Sequence, residues 1–302
     1  MSVAIEPVHT LADLEHWSFA GSGLAVVGRP VAHSLSPAIH NAALAELARS
    51  QPRFRDWRYF KFDIAPGDLP RALLLFHAKN FPGLNLTVPH KALAVEHLVA
   101  SDAFVRAAGA ANTLIRTDAG WSGANTDGHG LSAALRQDLG VELGGASVIL
   151  LGAGGAARGA AVECLSRRCA SLWVGNRTQG SLAALLGDLQ PFAGESTMRG
   201  FDLAHPPADL PAGAVVLNAT SLGLKPEDPA PIDLRKMPRP SNVYDMIYRP
   251  PQSALLRQAA ELGVPCANGL SMLVHQGARS LEIWTGASVP VTIMQQTARA
   301  AL

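Results

Sequence analysis

Two stretches of this 302-residue chain carry residue types at spacings that chemistry needs. The first is Leu150-Leu151-Gly152-Ala153-Gly154-Gly155-Ala156-Ala157-Arg158-Gly159. It follows an apolar β-type run and opens a helical pattern, the setting of a turn that binds dinucleotide phosphates. Gly152 would make the tight turn, Gly154 would let backbone approach a pyrophosphate, and Ala157 would take the small third position where helix meets strand. The N–H groups and dipole of the helix start would then hold the phosphate. A site for NAD places Asp or Glu about 20 residues on, at the end of the next strand, to hold the ribose hydroxyls. Asn176-Arg177-Thr178 stands there instead. No carboxylate repels a 2′-phosphate, and the planar Arg177 cation can grip one while stacking on adenine. The pattern favours NADP(H), with NAD(H) as the alternative.

The second set lies in the first half, where polar residues stand at the ends of apolar runs and the starts of helical ones. His33-Ser34-Leu35-Ser36-Pro37 offers two hydroxyls; Asn85-Leu86-Thr87-Val88-Pro89-His90-Lys91 offers Asn85 and Thr87 on one strand face, with Lys91 just beyond. Asn112-Thr113 and Asn125-Thr126-Asp127 add amides, hydroxyls and a carboxylate. Many directed donors and acceptors suit a polyhydroxylated ligand, which apolar packing cannot orient. Lys91 falls in the first turn of a predicted helix, where a cation opposes the dipole at a cost of about 0.3–1 kcal/mol. Such a cost is expected where a lysine exchanges protons, and an Asp127 carboxylate nearby would tune it. Asp127 also suits a helix N-cap, and the two roles are compatible.

These residues require a scaffold of strands alternating with helices. In the first half, Leu24 to Gly28, Tyr59 to Ile64 and Leu84 to Val88 read as strands. Helices are predicted from Ser36-Pro37, with a hydroxyl N-cap and proline at the first helical position, over Leu69 to Lys79, and from Pro89. Ala111 to Ile115 and Trp121 form the arms of a hairpin, so this half is mixed, and a longer helix follows Asp127. From Ser147 the rhythm is that of a doubly wound unit: strands at 147–151, 171–175, 215–218 and 242–245, and helices ending near Arg168, at 181–189 and at 253–262. Helices over 270–284 and 290–301 close the chain and pack back on an earlier domain. The Pro-rich stretches 206–211 and 226–240 read as loops.

Composition narrows the partners. Lys and Arg total 25 against 24 Asp and Glu, a net charge of +1, which leaves no field to gather nucleic acid or an anionic membrane. Cys164, Cys169 and Cys266 match no disulfide framework or zinc-ligand spacing, so they read as buried fillers in a reducing compartment, with no metal expected. The first seventeen residues lack a signal peptide's basic start, and no apolar run nears the roughly 20 residues of a membrane span. The expectation is a cytoplasmic protein with a small-molecule substrate.

Taken together these segments resemble the shikimate dehydrogenase family over nearly the whole chain. The resemblance rests on Ser34-Leu35-Ser36-Pro37, Asn85 to Lys91, Gly109-Ala110-Ala111-Asn112-Thr113, Asn125-Thr126-Asp127-Gly128 and Gly152 to Ala156. It extends through Asn176-Arg177-Thr178, Asn218-Ala219-Thr220, Tyr244-Asp245-Met246-Ile247-Tyr248 and Met272-Leu273-Val274-His275-Gln276. It implies an α/β fold of two domains with the active site in the cleft between them. A mixed α/β substrate domain would span 1–126 plus 271–302, and a Rossmann-type NADP domain 127–270. It also implies Lys91 and Asp127 as the catalytic pair, and Ser34, Ser36, Asn85, Thr87, Asn112, Asp127, Tyr248 and Gln276 as substrate-binding. The cofactor would be held by Gly152, Ala153, Gly154, Gly155, Ala156, Asn176, Arg177, Thr178, Thr220, Met246 and Gly269. His129 and His275, near these segments, read as packing or surface residues.

The implied activity is NADP-dependent reduction of 3-dehydroshikimate to shikimate in aromatic amino acid biosynthesis, by a monomer or homodimer. The alternatives are a catabolic quinate or dual quinate/shikimate dehydrogenase using NAD and, more distantly, a non-catalytic ligand sensor. Three departures from the family pattern stand out. Ser271 and Gly277 replace a usual glycine and alanine, and no second basic residue follows Thr178. The twenty residues before Gly21 have no assigned role.

Overall fold

The computed structural model describes residues 6–302. The chain divides into two compact units: one runs up to Thr126 and resumes at Val274–Leu302, the other is Asp127–Leu273. The second boundary falls at 273/274 rather than 270/271, inside a helix.

In the first unit the chain forms β1 (Val8–His9), α1 (Leu11–Glu15), β2 (Ser22–Gly28), α2 (Ser36–Ser50), β3 (Trp57–Asp63), α3 (Leu69–Ala78), β4 (Gly83–Leu86), α4 (His90–Leu93), β5 (Leu98–Ser101), α5 (Ala103–Ala108), β6 (Thr113–Thr117) and β7 (Gly120–Ala124). The seven strands lie in the order β1-β3-β2-β4-β6-β7-β5. The pairs are parallel as far as β4, antiparallel through β6 and β7, and parallel again at β5, so the sheet is mixed. One face is apolar: Ala25, Val27, Phe60, Phe62, Leu84 and Leu86 pack with Phe76 of α3 and Leu14 of α1. Phe76, Phe62 and Phe81 meet edge to face, with ring centroids 4.9 to 6.1 Å apart.

The second unit continues with α6 (Asp127–Leu139), β8 (Ser147–Leu151), α7 (Gly155–Ser166), β9 (Ser171–Asn176), α8 (Gln179–Leu189), β10 (Thr197–Asp202), β11 (Val215–Asn218), β12 (Asn242–Asp245), α9 (Ala254–Glu261) and β13 (Cys266–Asn268). Its six strands are all parallel, in the order β10-β9-β8-β11-β12-β13. This doubly wound order reverses direction between β8 and β11, where such sheets open a crevice at the strands' carboxyl ends. Buried Glu163 of α7 accepts from Ser132 Oγ at 2.5 Å and Arg167 Nε at 2.8 Å, tying α6 to α7.

The chain ends in α10 (Leu270–Thr285) and α11 (Val291–Ala300). Trp284 of α10 donates to the Leu114 carbonyl at 2.9 Å, and a β-carbon on Gly83 would lie 2.0 Å from its indole nitrogen. Only glycine there lets the helix lie on the sheet.

Several local expectations need correction. Leu35, not Ser36, occupies the N-cap of α2, which puts Ser36 and Pro37 inside the helix and turns the Ser36 hydroxyl away from capping. The helix predicted from Pro89 is a single turn, followed by a 3-10 segment at Ala94–His97. A dipole needs several aligned peptides, so the cost argued for Lys91 does not arise. The short strands β1, β5, β10 and β13, and helices α1 and α5, lack a readable period in sequence; β10 is a largely exposed edge strand with arginine and glycine in its middle. Of the twenty residues before Gly21, 1–5 lie outside the described residues, and the rest supply β1 and α1.

Candidate active site

In the first unit the site begins with strand register. Tyr59 and Lys61 of β3 pair with Leu24 and Val26 of β2; Val26 pairs with Asn85 of β4, and Asn85 with Thr113 of β6. Directly paired residues point to one side. Lys61, Val26, Asn85 and Thr113 therefore form a row across the face opposite the phenylalanine core, with Tyr59 one step below. Here α2 and α10 contribute: His40 stacks on Tyr59 with centroids 4.1 Å apart, and Ser280 lies against Asn85.

The polar groups of this face satisfy one another. Tyr59 Oη donates to Asn85 Oδ1 at 2.7 Å. Asn85 Nδ2 donates to the Asn112 carbonyl and Ser280 Oγ, both at 3.0 Å, and toward Thr113 Oγ1 at 3.3 Å. Asn112 Oδ1 accepts from the Thr126 backbone N–H at 2.8 Å and from Thr113 Oγ1 at 2.9 Å. Asn112 Nδ2 donates to Thr126 Oγ1 at 2.9 Å and Gln276 Oε1 at 3.2 Å. Ser280 Oγ closes the circuit, 2.7 Å from Thr113 Oγ1 and 3.0 Å from the Gln276 carbonyl. A buried polar group left unpaired costs about 1–3 kcal/mol, so a connected set this large defends its geometry.

Of the residues expected to meet a substrate, the network joins Asn85, Asn112 and Gln276, and Ser36 is buried in the first turn of α2. Ser34 is half-buried on the turn before α2, where its Oγ accepts the Ser36 N–H at 3.3 Å. Thr87 follows β4, its N–H bonded to the Val27 carbonyl at 3.0 Å. Lys91 is half-buried; its carbonyl accepts the Ala111 N–H at 2.8 Å, which sets it beside the segment carrying Asn112. Sequence reasoning missed Tyr59, His40, Lys61 and Ser280. A tyrosine and a lysine two apart in a strand have the pattern of an outward face, and nothing local shows that His40 of α2 and Trp284 of α10 meet Tyr59 there.

In the second unit, the turn after β8 meets the segment after β11. Gly152 has φ +111, and a β-carbon on it would lie 3.1 Å from the Ala219 carbonyl oxygen and 3.2 Å from Thr220 Cγ2. At Gly154 and Gly155 a β-carbon would meet no protein atom. The start of α7, which Gly154 caps from extended backbone, thus opens on empty space with its first N–H groups unpaired within the helix. That is the cradle a pyrophosphate needs, and Ala157 is fully buried behind it. Beyond β9, Asn176 Nδ2 donates to the Thr178 carbonyl at 2.9 Å, shaping a turn on which Arg177 is exposed. The residues present fit an NADP-type dinucleotide.

Asp245 holds the other side of this crevice. It is fully buried, and burial raises its carboxyl above the usual range. It accepts from Asn218 Nδ2 at 2.9 Å, the Ile247 N–H at 3.1 Å and Ser253 Oγ at 2.5 Å. Thr220 Oγ1 donates to Asn218 Oδ1 at 2.8 Å, and the Met246 N–H to the Asn218 carbonyl at 3.0 Å. Thr220 and Met246 are thereby fixed from one centre. Gly269 packs on Met246, whose carbonyl oxygen would be 2.0 Å from a β-carbon there. Tyr248 is half-buried, and burial raises its phenol. Asp127 is the first residue of α6 and half-buried; His129 is exposed and His275 half-buried.

Two of the departures in sequence, Ser271 and Gly277, have local reasons. Ser271 Oγ donates to Asp138 Oδ1 at 3.0 Å, a contact glycine cannot make. At Gly277 a β-carbon would press within 3.0 Å of His40 Cε1. Cys164 and Cys169 are buried and Cys266 half-buried, and burial pushes all three thiols up. Among the described residues no group of three His, Cys, Asp or Glu could hold a metal ion, and no helix is long and apolar enough to cross a membrane.

The model of the shikimate dehydrogenase substrate-binding domain matches residues 26–114, and that of the shikimate 5′-dehydrogenase C-terminal domain matches 269–299. A shikimate dehydrogenase (NADP(+)) of Moorella thermoacetica is 37% identical over 297 residues, covering 94% of this chain and 95% of the relative. The structure of shikimate 5-dehydrogenase from Thermus thermophilus in complex with NADP(H) and shikimate superposes with a TM-score of 0.81 at 33% identity, covering 93% and 100%. A ligand-free 5-ketofructose reductase of a Gluconobacter strain superposes at 0.84 and 29% identity, covering 94% and 100%.

His40 supplies a stability test. Its Nδ1 lies 2.8 Å from the Ser36 carbonyl and its Nε2 3.2 Å from that of Gly277, yet burial outweighs both and lowers its pKa from 6.5 to about 4. The unfolded chain then binds a proton near pH 6.5 that the folded chain refuses, so stability present above that pH is lost as pH falls toward 4. Between pH 7.5 and 5 this residue should remove about 2 kcal/mol, read by urea unfolding. His40→Gln should flatten that fall, and an equally steep fall in the variant would clear His40 of it.

Proposed function

Because the chain belongs to the shikimate dehydrogenase family, whose members are oxidoreductases acting on a CH–OH group, we propose that it interconverts 3-dehydroshikimate and shikimate with NADP(H). The observation that carries this reading is the buried polar face of the first unit, where Asn85, Asn112 and Gln276 are locked in one hydrogen-bond network. A ligand with several hydroxyls needs donors and acceptors at fixed angles, and a closed network fixes them before the ligand arrives.

On this reading the first unit binds substrate and the second the dinucleotide. Ser34, Ser36, Asn85, Thr87, Asn112, Asp127, Gln276 and Tyr248 contact the substrate's carboxylate and hydroxyls, with Asn85 also anchoring the network. Lys91 moves the proton at the reacting oxygen, with Asp127 orienting lysine and hydroxyl. NADPH, when bound, supplies the hydride. The α7 start, with Gly152 to Ala156, holds its pyrophosphate; Asn176, Arg177 and Thr178 hold the adenosine 2′-phosphate; Thr220, Met246 and Gly269 border the nicotinamide. The enzyme would work in the cytoplasm as a monomer or homodimer, within aromatic amino acid biosynthesis.

Oxidation of shikimate and of quinate, each with NADP and with NAD, compared by kcat/KM, tests the reading. Shikimate with NADP should win, whereas a preference for quinate or NAD would assign the chain to catabolism, and silence in all four pairings would leave a ligand sensor. Lys91→Ala should lower kcat by about 10²–10⁴ with KM for shikimate little changed; an unaltered kcat removes Lys91 from the chemistry. Arg177→Ala should raise KM for NADP and spare NAD, and equal effects on both would refute the 2′-phosphate contact.

A further inference from the structure

Lys61 is 5% exposed in the middle of β3, with strands paired on both sides of it. Its ammonium makes one hydrogen bond among the described residues, to the Ala32 carbonyl at 2.8 Å, although an ammonium carries three donors. It has no ion-pair partner among those residues. Asp63, next on the same strand face, is held instead by Arg29 Nε at 3.5 Å. A buried cation without a counter-charge is costly to a fold, and an anion brought to its side offsets that cost.

The position of Lys61 is on the polar face of the sheet. Lys61 shares a row with Asn85, two strands away and about 10 Å between Cα atoms, on the network's face of the sheet. The carbonyl it holds belongs to Ala32, at the head of the turn that delivers Ser34 and Ser36. The ammonium thus tethers the base of the turn that bears the two hydroxyls and adds positive potential there. Hydroxyls orient a carboxylate but do not neutralise it.

We propose that Lys61 is a specificity-determining residue of the substrate site: through the Ala32–Ser36 turn it supplies the fixed positive charge that selects a carboxylate-bearing substrate over a neutral polyol. The proposal rests on the reading that the substrate is shikimate.

Calorimetric dissociation constants for shikimate and for its uncharged carboxamide, with wild type, Lys61→Met and Lys61→Arg, provide the test. Methionine keeps the buried length without the charge. Lys61→Met should weaken shikimate about 10–100-fold and the carboxamide less than about 3-fold, and Lys61→Arg should recover most of the loss. Equal weakening of both ligands, or none for shikimate, would overturn the proposal, since a merely structural lysine cannot tell acid from amide. Should Lys61→Met fail to fold, Lys61→Gln gives the same comparison. Wild-type turnover of shikimate with NADP is read separately: its absence overturns the functional reading and this proposal together, whereas turnover with equal weakening removes Lys61 alone.

Discussion

The Asn85 amide is the joint on which the first unit depends. Its oxygen takes the Tyr59 hydroxyl from β3, and its nitrogen reaches the Asn112 carbonyl before β6 and Ser280 on α10. Those partners are 26, 27 and 195 residues away in sequence. One side chain therefore welds a helix near the end of the chain to a sheet whose strands lie between Val8 and Ala124. The arrangement is polar because it must be specific: an apolar contact would tolerate a slide of α10 along the sheet, whereas a closed hydrogen-bond circuit loses a full bond for a small displacement. The glycine at position 83 and Trp284 fix the same approach sterically.

The second unit solves a matching problem with different chemistry. Its crevice is bordered by segments following β11 and β12, which side-by-side pairing brings near each other but does not hold. Asp245 holds them, gathering Asn218, Ile247 and Ser253, and Asn218 passes the order to Thr220 and Met246. The carboxyl's raised pKa records the strain of burying it, and the three donors record what offsets that burial. Gly152 adds a backbone conformation that few side chains allow, so the turn before α7 can close against Ala219.

Much of this is legible in the sequence, because the residues concerned sit at ends of elements. Gly152, Gly154 and Arg177 follow strands whose apolar runs are plain to read, and the parallel order of the second sheet follows from strand-helix alternation. Asn85, Thr87, Asn112 and Asp127 stand out as polar residues where apolar runs stop. What stays hidden is the middle of β3. Trp57-Arg58-Tyr59-Phe60-Lys61-Phe62-Asp63 alternates like a strand with one wet face, yet Tyr59 and Lys61 are both buried. Tyr59 is covered by His40 of α2 and faced by Trp284 of α10, and no local period reports a contact at that separation.

Two residues depart locally from expectation. Ser36 before a proline has the composition of a cap, yet Leu35 takes the cap position and the buried Ser36 hydroxyl caps nothing. Lys91 draws notice in the sequence for opposing a helix dipole that a one-turn helix does not develop. Its candidacy rests instead on position: a half-buried lysine whose backbone is bonded to Ala111, one residue before the Asn112 amide that organises the network. A proton-transferring group needs a fixed place more than an unfavourable field, and the bond from Ala111 fixes the backbone from which the Lys91 side chain starts.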